Sequence, residues 1–305
     1  MRVLTQRRAR CLVCLGAMLW SLNGLFKSLL TLPNFLDLGE PPLHAFVMGF
    51  YRAVFAGLVM LPGLRRSQIR WRPAMGLMVL LFGSMNALFM WAIANGTAAH
   101  ALILQYTAPF WALLIGVGFL KEQGTRKDFI ALAVAGIGLA IIVQDAFAAK
   151  DHEQLWLVLA GLGSGVTFAG VLLTLRWMRQ EDSVWLTVLN QSCAALLLLP
   201  FIVQYPMPRW DQLLTLLVFG AVQLALPYWL VTQGMKAISS HEAGMIGLLE
   251  PLFSPLWAYL VAGEAPDRAT LMGGAIILTA LLYRYWPRGA ERVSPTNGSN
   301  PQAMA

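Results

Sequence analysis

Residues 241–264 read HEAGMIGLLEPLFSPLWAYLVAGE, a mostly apolar run with one glutamate, Glu250, near its middle and Pro251 and Pro255 just beyond it. A bilayer is crossed by a helix of roughly 20 apolar residues, and proline survives inside such a helix because neighbouring helices take up the freed carbonyls. The same pattern stands earlier, in residues 100–122, HALILQYTAPFWALLIGVGFLKE. Pro109 matches Pro251 and Glu122 matches Glu264, both at a spacing of 142. A chain that writes this pattern twice is a doubled membrane protein, and its function is expected between the two copies.

Composition agrees. Apolar residues make up 58% of the 305, and charged residues only 12%, about half the fraction usual in a soluble domain. Ten apolar segments can be counted, at 11–32, 43–63, 74–94, 98–120, 129–144, 155–177, 184–204, 211–233, 241–262 and 269–286. The expected fold is all-α: a polytopic bundle of ten transmembrane helices. Residues 10–145 and 153–286 would each supply five of them, followed by a disordered cytoplasmic tail at 287–305. The arginines at 7, 8 and 10 ahead of an apolar run resemble a signal peptide, but the run outlasts the usual hydrophobic core of about 7–15 residues and has no small-residue exit. It reads as a retained first span. Cys11, Cys14 and Cys193 are too few for a disulfide framework, and the lone CxxC opens a membrane helix, where apolar packing is its ordinary use.

The net charge of +7 is explained by topology and not by nucleic acid. With the N-terminus inside, 17 of the 22 Lys and Arg residues fall on cytoplasmic segments and three on outer ones, while Lys27 and Arg52 lie within spans. Both termini are therefore assigned to the cytoplasmic side of an inner (plasma) membrane. Trp71, Trp156, Trp177, Trp185, Trp210 and Trp286 fall at span ends, as interfacial anchors do. The internal repeat also continues beyond the opening pair. Phe82-Gly83 matches Phe219-Gly220 at 137, and Pro62 matches Pro200 at 138. Five spans is an odd number, so the second copy enters the membrane inverted. Inverted repeats with a site near the midplane characterise secondary transporters.

The ten-span layout, the Pro109-to-Glu122 stretch, Glu250-Pro251 through Glu264, and Arg52 in the second span resemble the drug/metabolite transporter superfamily, and within it the EamA-type exporters. The resemblance covers about residues 10–286 and is most specific at the ends of spans four and nine. It implies a ten-helix bundle with a central cavity that moves amino acids, related metabolites or drugs by alternating access. The first span carries no acidic residue. That departs from the small multidrug-resistance relatives and counts against proton-driven export of cationic drugs.

A charge at the bilayer centre costs roughly 2.5–3.5 kcal/mol on insertion scales. Arg52 and Glu250 are each about nine residues, or about 14 Å, into spans that enter from opposite sides, so both sit near the midplane. Arg52 is expected to bind an anionic group and Glu250 to take up protons as the coupling ion. The competing expectation is a permanent structural ion pair between them, or separate structural contacts for each. Trp20, Asn23 and Lys27 share one helical face in the first span, although Lys27 could also snorkel to the outer headgroups. Asn86, Gln105, Asn190 and Gln223 lie deep in spans, able to bind solute or to join helices. Tyr106, Trp111, Tyr228 and Trp257 lie near the prolines Pro109, Pro227, Pro251 and Pro255, where helices are expected to break and a cavity wall to form. Spans five and ten are almost purely apolar and are expected outside the cavity, packed through Ala131, Ala135, Ala269 and Gly273.

Rival classes find little purchase. His44, His100, His152 and His241 lie at span ends or in loops, and His241-Glu242 begins an HExxH zinc motif that fails at Met245. Ser164 and Ser254 are deep but have no histidine at their depth. No phosphate loop is present, and no cofactor or metal is expected. A membrane scaffold would not need polar groups at the midplane, and this chain has them.

Overall fold

The computed structural model describes residues 4–31, 37–95, 104–143, 153–262 and 268–285, and it is helical with no strand among them. His100, Glu264 and the tail from Pro287 lie outside the described residues, as does the side chain of Pro255. The helices are α1 (Gln6–Trp20), α2 (Asn23–Thr31), α3 (Ala45–Met60), α4 (Pro73–Asn95), α5 (Ala108–Phe119), α6 (Arg126–Val143) and α7 (Glu153–Trp177). They continue with α8 (Ser183–Ile202), α9 (Trp210–Val218), α10 (Leu226–Gly234), α11 (Ser240–Gly247), α12 (Leu249–Ala262) and α13 (Arg268–Tyr285). Among the described residues, six helical stretches are long and apolar enough to cross a bilayer: Gln6–Thr31, Ala45–Gly63, Pro73–Ala92, Trp156–Trp177, Ser183–Ile202 and Trp210–Gly234. Leu80, Leu196 and Leu214 are more than 60% exposed on their outer faces, which suits hydrocarbon and not water.

Helix starts follow local chemistry. Thr5 caps α1, Asp182 caps α8 through the amides of Val184 and Trp185, and Ser239 caps α11 through Glu242. Thr125 and Asp128 bond each other reciprocally at the start of α6.

Several spans are interrupted. The first turns from α1 to α2 at Ser21-Leu22, and α11 gives way to α12 at Leu248. Between α9 and α10 the chain is a π-helix, Phe219–Ala225. Pro109 and Pro251 stand within the first three residues of α5 and α12, where a missing N–H removes no helical bond, whereas Pro227 falls where the π segment passes into α10 without a gap. Pro255 does not end its helix, because α12 runs through it to Ala262.

Helix pairing sets the centre. α6 lies along α13, α4 along α7, α3 along α8, α1 along α10, and α5 against α11. In lipid such contacts depend on close fit more than on apolar burial. Where α6 meets α13, a methyl added at Gly138 would sit 2.6 Å from the Gly273 carbonyl oxygen. Ala131 and Ala135 are fully buried in that seam, away from the cavity described below.

Candidate functional site

Polar residues at depth converge on one cavity of about 90 Å3, room for several waters or a small head group. Eight of the sequence candidates line it: Trp20, Asn23, Arg52, Asn86, Gln105, Gln223, Tyr228 and Glu250. The helix breaks explain how they meet. Asn23 opens α2 just past the Ser21-Leu22 turn, and Glu250 is the second residue of α12. Gln223 stands on the π segment, an irregularity that recurs at functional sites. Gly220, on the same segment, brings that backbone against α3, since a Cβ there would lie 2.5 Å from the Arg52 carbonyl oxygen.

Arg52 and Glu250 face the same space without touching. Among the described residues they form no ion pair, so the permanent-pair expectation does not hold in this structure. Arg52 instead donates from one Nη to Asn23 Oδ1 at 3.1 Å, and its guanidinium carbon lies 5.4 Å from the Phe219 ring centroid. The Tyr106 hydroxyl faces the Glu250 carboxyl. Gln223 donates to the Trp20 carbonyl at 3.2 Å, while its buried Oε1 has no protein partner. Gln105 is oriented by a 2.8 Å bond to Ser164, and Asn86 bonds back to Phe82 O at 2.9 Å.

The other candidates are spread around this centre. Lys27 lines a smaller pocket of about 30 Å3 together with Asn23 and Arg52, called outer after the topology expected from sequence. Tyr106 lines another of about 20 Å3 with Trp20, Gln105, Pro109 and Glu250, called inner on the same expectation. Asn190 stands behind the wall, fully buried, and donates to the Tyr228 hydroxyl. Trp111 bonds Thr107 Oγ1 at 3.2 Å and packs beside Ala108, Ala112 and Ala169, off the cavity. Trp257 donates to Ser21 Oγ at 2.7 Å, so it holds the break in the first span and does not line the cavity.

Sequence reasoning missed Phe82, Met85, Phe89 and Phe168 in the lining. The first three flank Asn86 at −4, −1 and +3, one helical face that could have been read from Asn86 itself.

At the end of the inner pocket, Ala243 and Gly244 of α11 lead to a charged cluster. Glu122 accepts from Ser240 Oγ at 2.7 Å and from Ser240 N at 3.2 Å, and it lies 3.2 Å from His241 Nδ1. His241 Nε2 is 3.8 Å from Asp128, which pairs with Arg284, and Arg10 pairs with Glu242 at 2.7 Å. Burial pushes the Glu122 carboxyl up, but the bonds from His241 and Ser240 outweigh it and hold it below the ordinary carboxylate range. His241, the start of a failed zinc motif in sequence, is thus a buried member of an ion network.

The model of the EamA-like transporter family matches residues 7–144 and again residues 155–285. The chain belongs to the EamA-like transporter family. It is an integral membrane protein, and curated relatives over most of its length are named as transporters. It is 30% identical to a transporter of Archaeoglobus fulgidus described as uncharacterized, over 77% of this chain and 85% of that one. It is 25% identical to the S-adenosylmethionine uptake transporter of Rickettsia felis, over 79% and 83%. It is 26% identical to a pseudopaline exporter of Pseudomonas aeruginosa, over 79% and 86%. A solved crystal structure superposes at a TM-score of 0.78, covering 92% of this EamA-family chain and 98% of the other at 16% identity, a likeness of fold alone.

Proposed function

We propose that this chain is a secondary transporter of small organic solutes carrying both a carboxylate and an ammonium group, amino acids and related metabolites. Arg52 and Asn23 take the carboxylate, and Glu250 with Tyr106 takes the ammonium or exchanges a proton for it. One observation carries this: a buried arginine and a glutamate line the same cavity without pairing to each other. Unpaired charges at membrane depth are costly unless something else satisfies them, and a zwitterion satisfies both. The orphaned Gln223 Oε1 offers a further acceptor. S-adenosylmethionine, named for the Rickettsia relative, is itself an amino acid.

Movement would follow alternating access between two inverted five-helix repeats, with ten spans in all and both termini in the cytoplasm. Two observations support this. The family model matches the chain twice in succession. The helix pairing also maps onto itself when spans one to five are exchanged with six to ten. The pairs α3–α8, α5–α11 and α6–α13 return to themselves, and α4–α7 exchanges with α1–α10. We assign export across the inner membrane as the direction, with no catalytic step, cofactor or metal.

The test is reconstitution into proteoliposomes and a counterflow screen of amino acids, purines and cationic drugs, with sidedness controlled to separate export from uptake. Accumulation of zwitterions is expected. Accumulation of cationic drugs alone contradicts the assignment.

A further inference from the structure

Beyond Arg52 the central cavity continues into the outer pocket that Lys27 lines. Asn23 and Lys27 are one turn apart on α2 and so project from one face. Arg52, only 8% exposed, uses a single N–H on Asn23. The Lys27 ammonium has no hydrogen-bond or ion-pair partner among the described residues. The described lining of this pocket contains two cations and no Asp or Glu. Desolvation disfavours an ammonium without a partner in a small cavity, and a carboxylate placed between Lys27 and the remaining N–H groups of Arg52 answers it. Glu250 does not supply it, because it borders the central cavity and not this pocket. Fixed charge from the outer pocket inward therefore runs two positive, then one negative.

We propose that the Lys27–Arg52 pocket is a second anion subsite, and that the preferred solutes are amino dicarboxylates, with two carboxylates toward Arg52 and Lys27 and the ammonium group toward Glu250. This rests on the zwitterion reading above and sharpens it.

Binding to the purified full chain in detergent tests it, read by thermal stabilisation and by fluorescence of Trp20 in the cavity wall. The probes are pairs that differ by one carboxylate: L-glutamate with L-glutamine, and L-aspartate with L-asparagine. In the wild type each acid is expected to bind at least about tenfold more tightly than its amide, the scale of one charge-assisted hydrogen bond. Lys27→Gln should erase that difference, and a retained cooperative thermal unfolding transition reports that the variant is folded. Lys27→Arg should keep the difference. Should Lys27→Gln not fold, Lys27→Met, which keeps the apolar stem, takes its place. Equal affinity for acids and amides in the wild type overturns the subsite while leaving the zwitterion reading standing. So does a Lys27 variant that weakens both alike. Inorganic phosphate displacing glutamate as well as aspartate does also overturns it, since the pocket would then hold any free anion. If neither acids nor amides bind, the subsite is overturned, and the zwitterion reading is decided by the counterflow screen of the other amino acids.

Discussion

Glu122 and Ser240 stand 118 positions apart and are joined twice, Ser240 Oγ donating at 2.7 Å and Ser240 N at 3.2 Å to the two carboxylate oxygens. The loop after α5 thereby holds the start of α11, the first piece of the interrupted pair α11 and α12. A carboxylate at a helix N-terminus gains from the amide dipoles as well as from the bonds themselves. Together with Arg10–Glu242 and Arg284–Asp128, the contact ties four helices and the loop after α5 at the end of the inner pocket. Under the proposed alternating access, an outward-facing carrier needs such a closure, and it must come apart for solute to pass.

Glu122→Gln should therefore weaken the closure without disturbing the cavity wall. Bonds to a charged group are worth about 1.5–3 kcal/mol, and loss on that scale should appear in thermal unfolding of the purified protein. Cysteines introduced at Ala243 and Gly247 should also become more reactive from the inner side. Unchanged reactivity contradicts the gating role.

The same carboxyl gives a pH dependence whose sign can be worked out. Its pKa is depressed in the folded state, so the unfolded chain binds the proton more readily. The stabilisation is complete above the ordinary glutamate pKa of about 4.3 and is lost as pH falls through the lower folded value. Wild-type melting temperature should drop on acidification below about pH 4.3, and Glu122→Gln should drop less. Parallel curves for the two proteins contradict it.

Arg52 and Glu250 are expected to behave as separate groups. Arg52→Ala should abolish transport, and Glu250→Gln should flatten its pH dependence in vesicles. Because Arg52 bonds Asn23 and not Glu250, Arg52→Ala/Glu250→Ala should show no recovery of folded protein over either single variant. Marked recovery points to a direct pair in another state. An unchanged pH profile for Glu250→Gln removes it as the coupling group.

Gly220→Val tests the contact between the π segment and α3. The first carbon of the new side chain would meet the Arg52 carbonyl at 2.5 Å, so one backbone must move. Overpacking of this kind costs about 1–3 kcal/mol. Transport should fall through weaker solute binding, seen as a higher KM, because Arg52 and Gln223 shift together. A stable variant with unchanged KM contradicts the positioning role.

What was legible in the sequence follows from contrast. Arg52, Glu250 and the amides stand out because polarity at membrane depth is rare, and eight of thirteen site candidates do share one cavity. Phe82, Phe89 and Phe168 did not stand out, since an aromatic facing a cavity and one facing lipid look alike in an apolar run. The Ser21-Leu22 turn carries no proline. It is held by Trp257, 236 positions away, and by Ser254, whose hydroxyl donates to the Ser21 carbonyl. Likewise the Glu122–His241 network joins residues from opposite halves, a proximity that only the fold creates. Prolines marked where helix pieces begin but overstated the case at Pro255, where α12 continues.

The most direct test of the account is counterflow of labelled L-methionine into proteoliposomes, with its methyl ester and its decarboxylated amine as competitors. Recognition of the carboxylate by Arg52 predicts that unlabelled methionine competes, while the ester and the amine, each lacking the carboxylate, do not. Competition by the amine or the ester as strong as that by methionine, or no accumulation of any amino acid tried in its place, would contradict it.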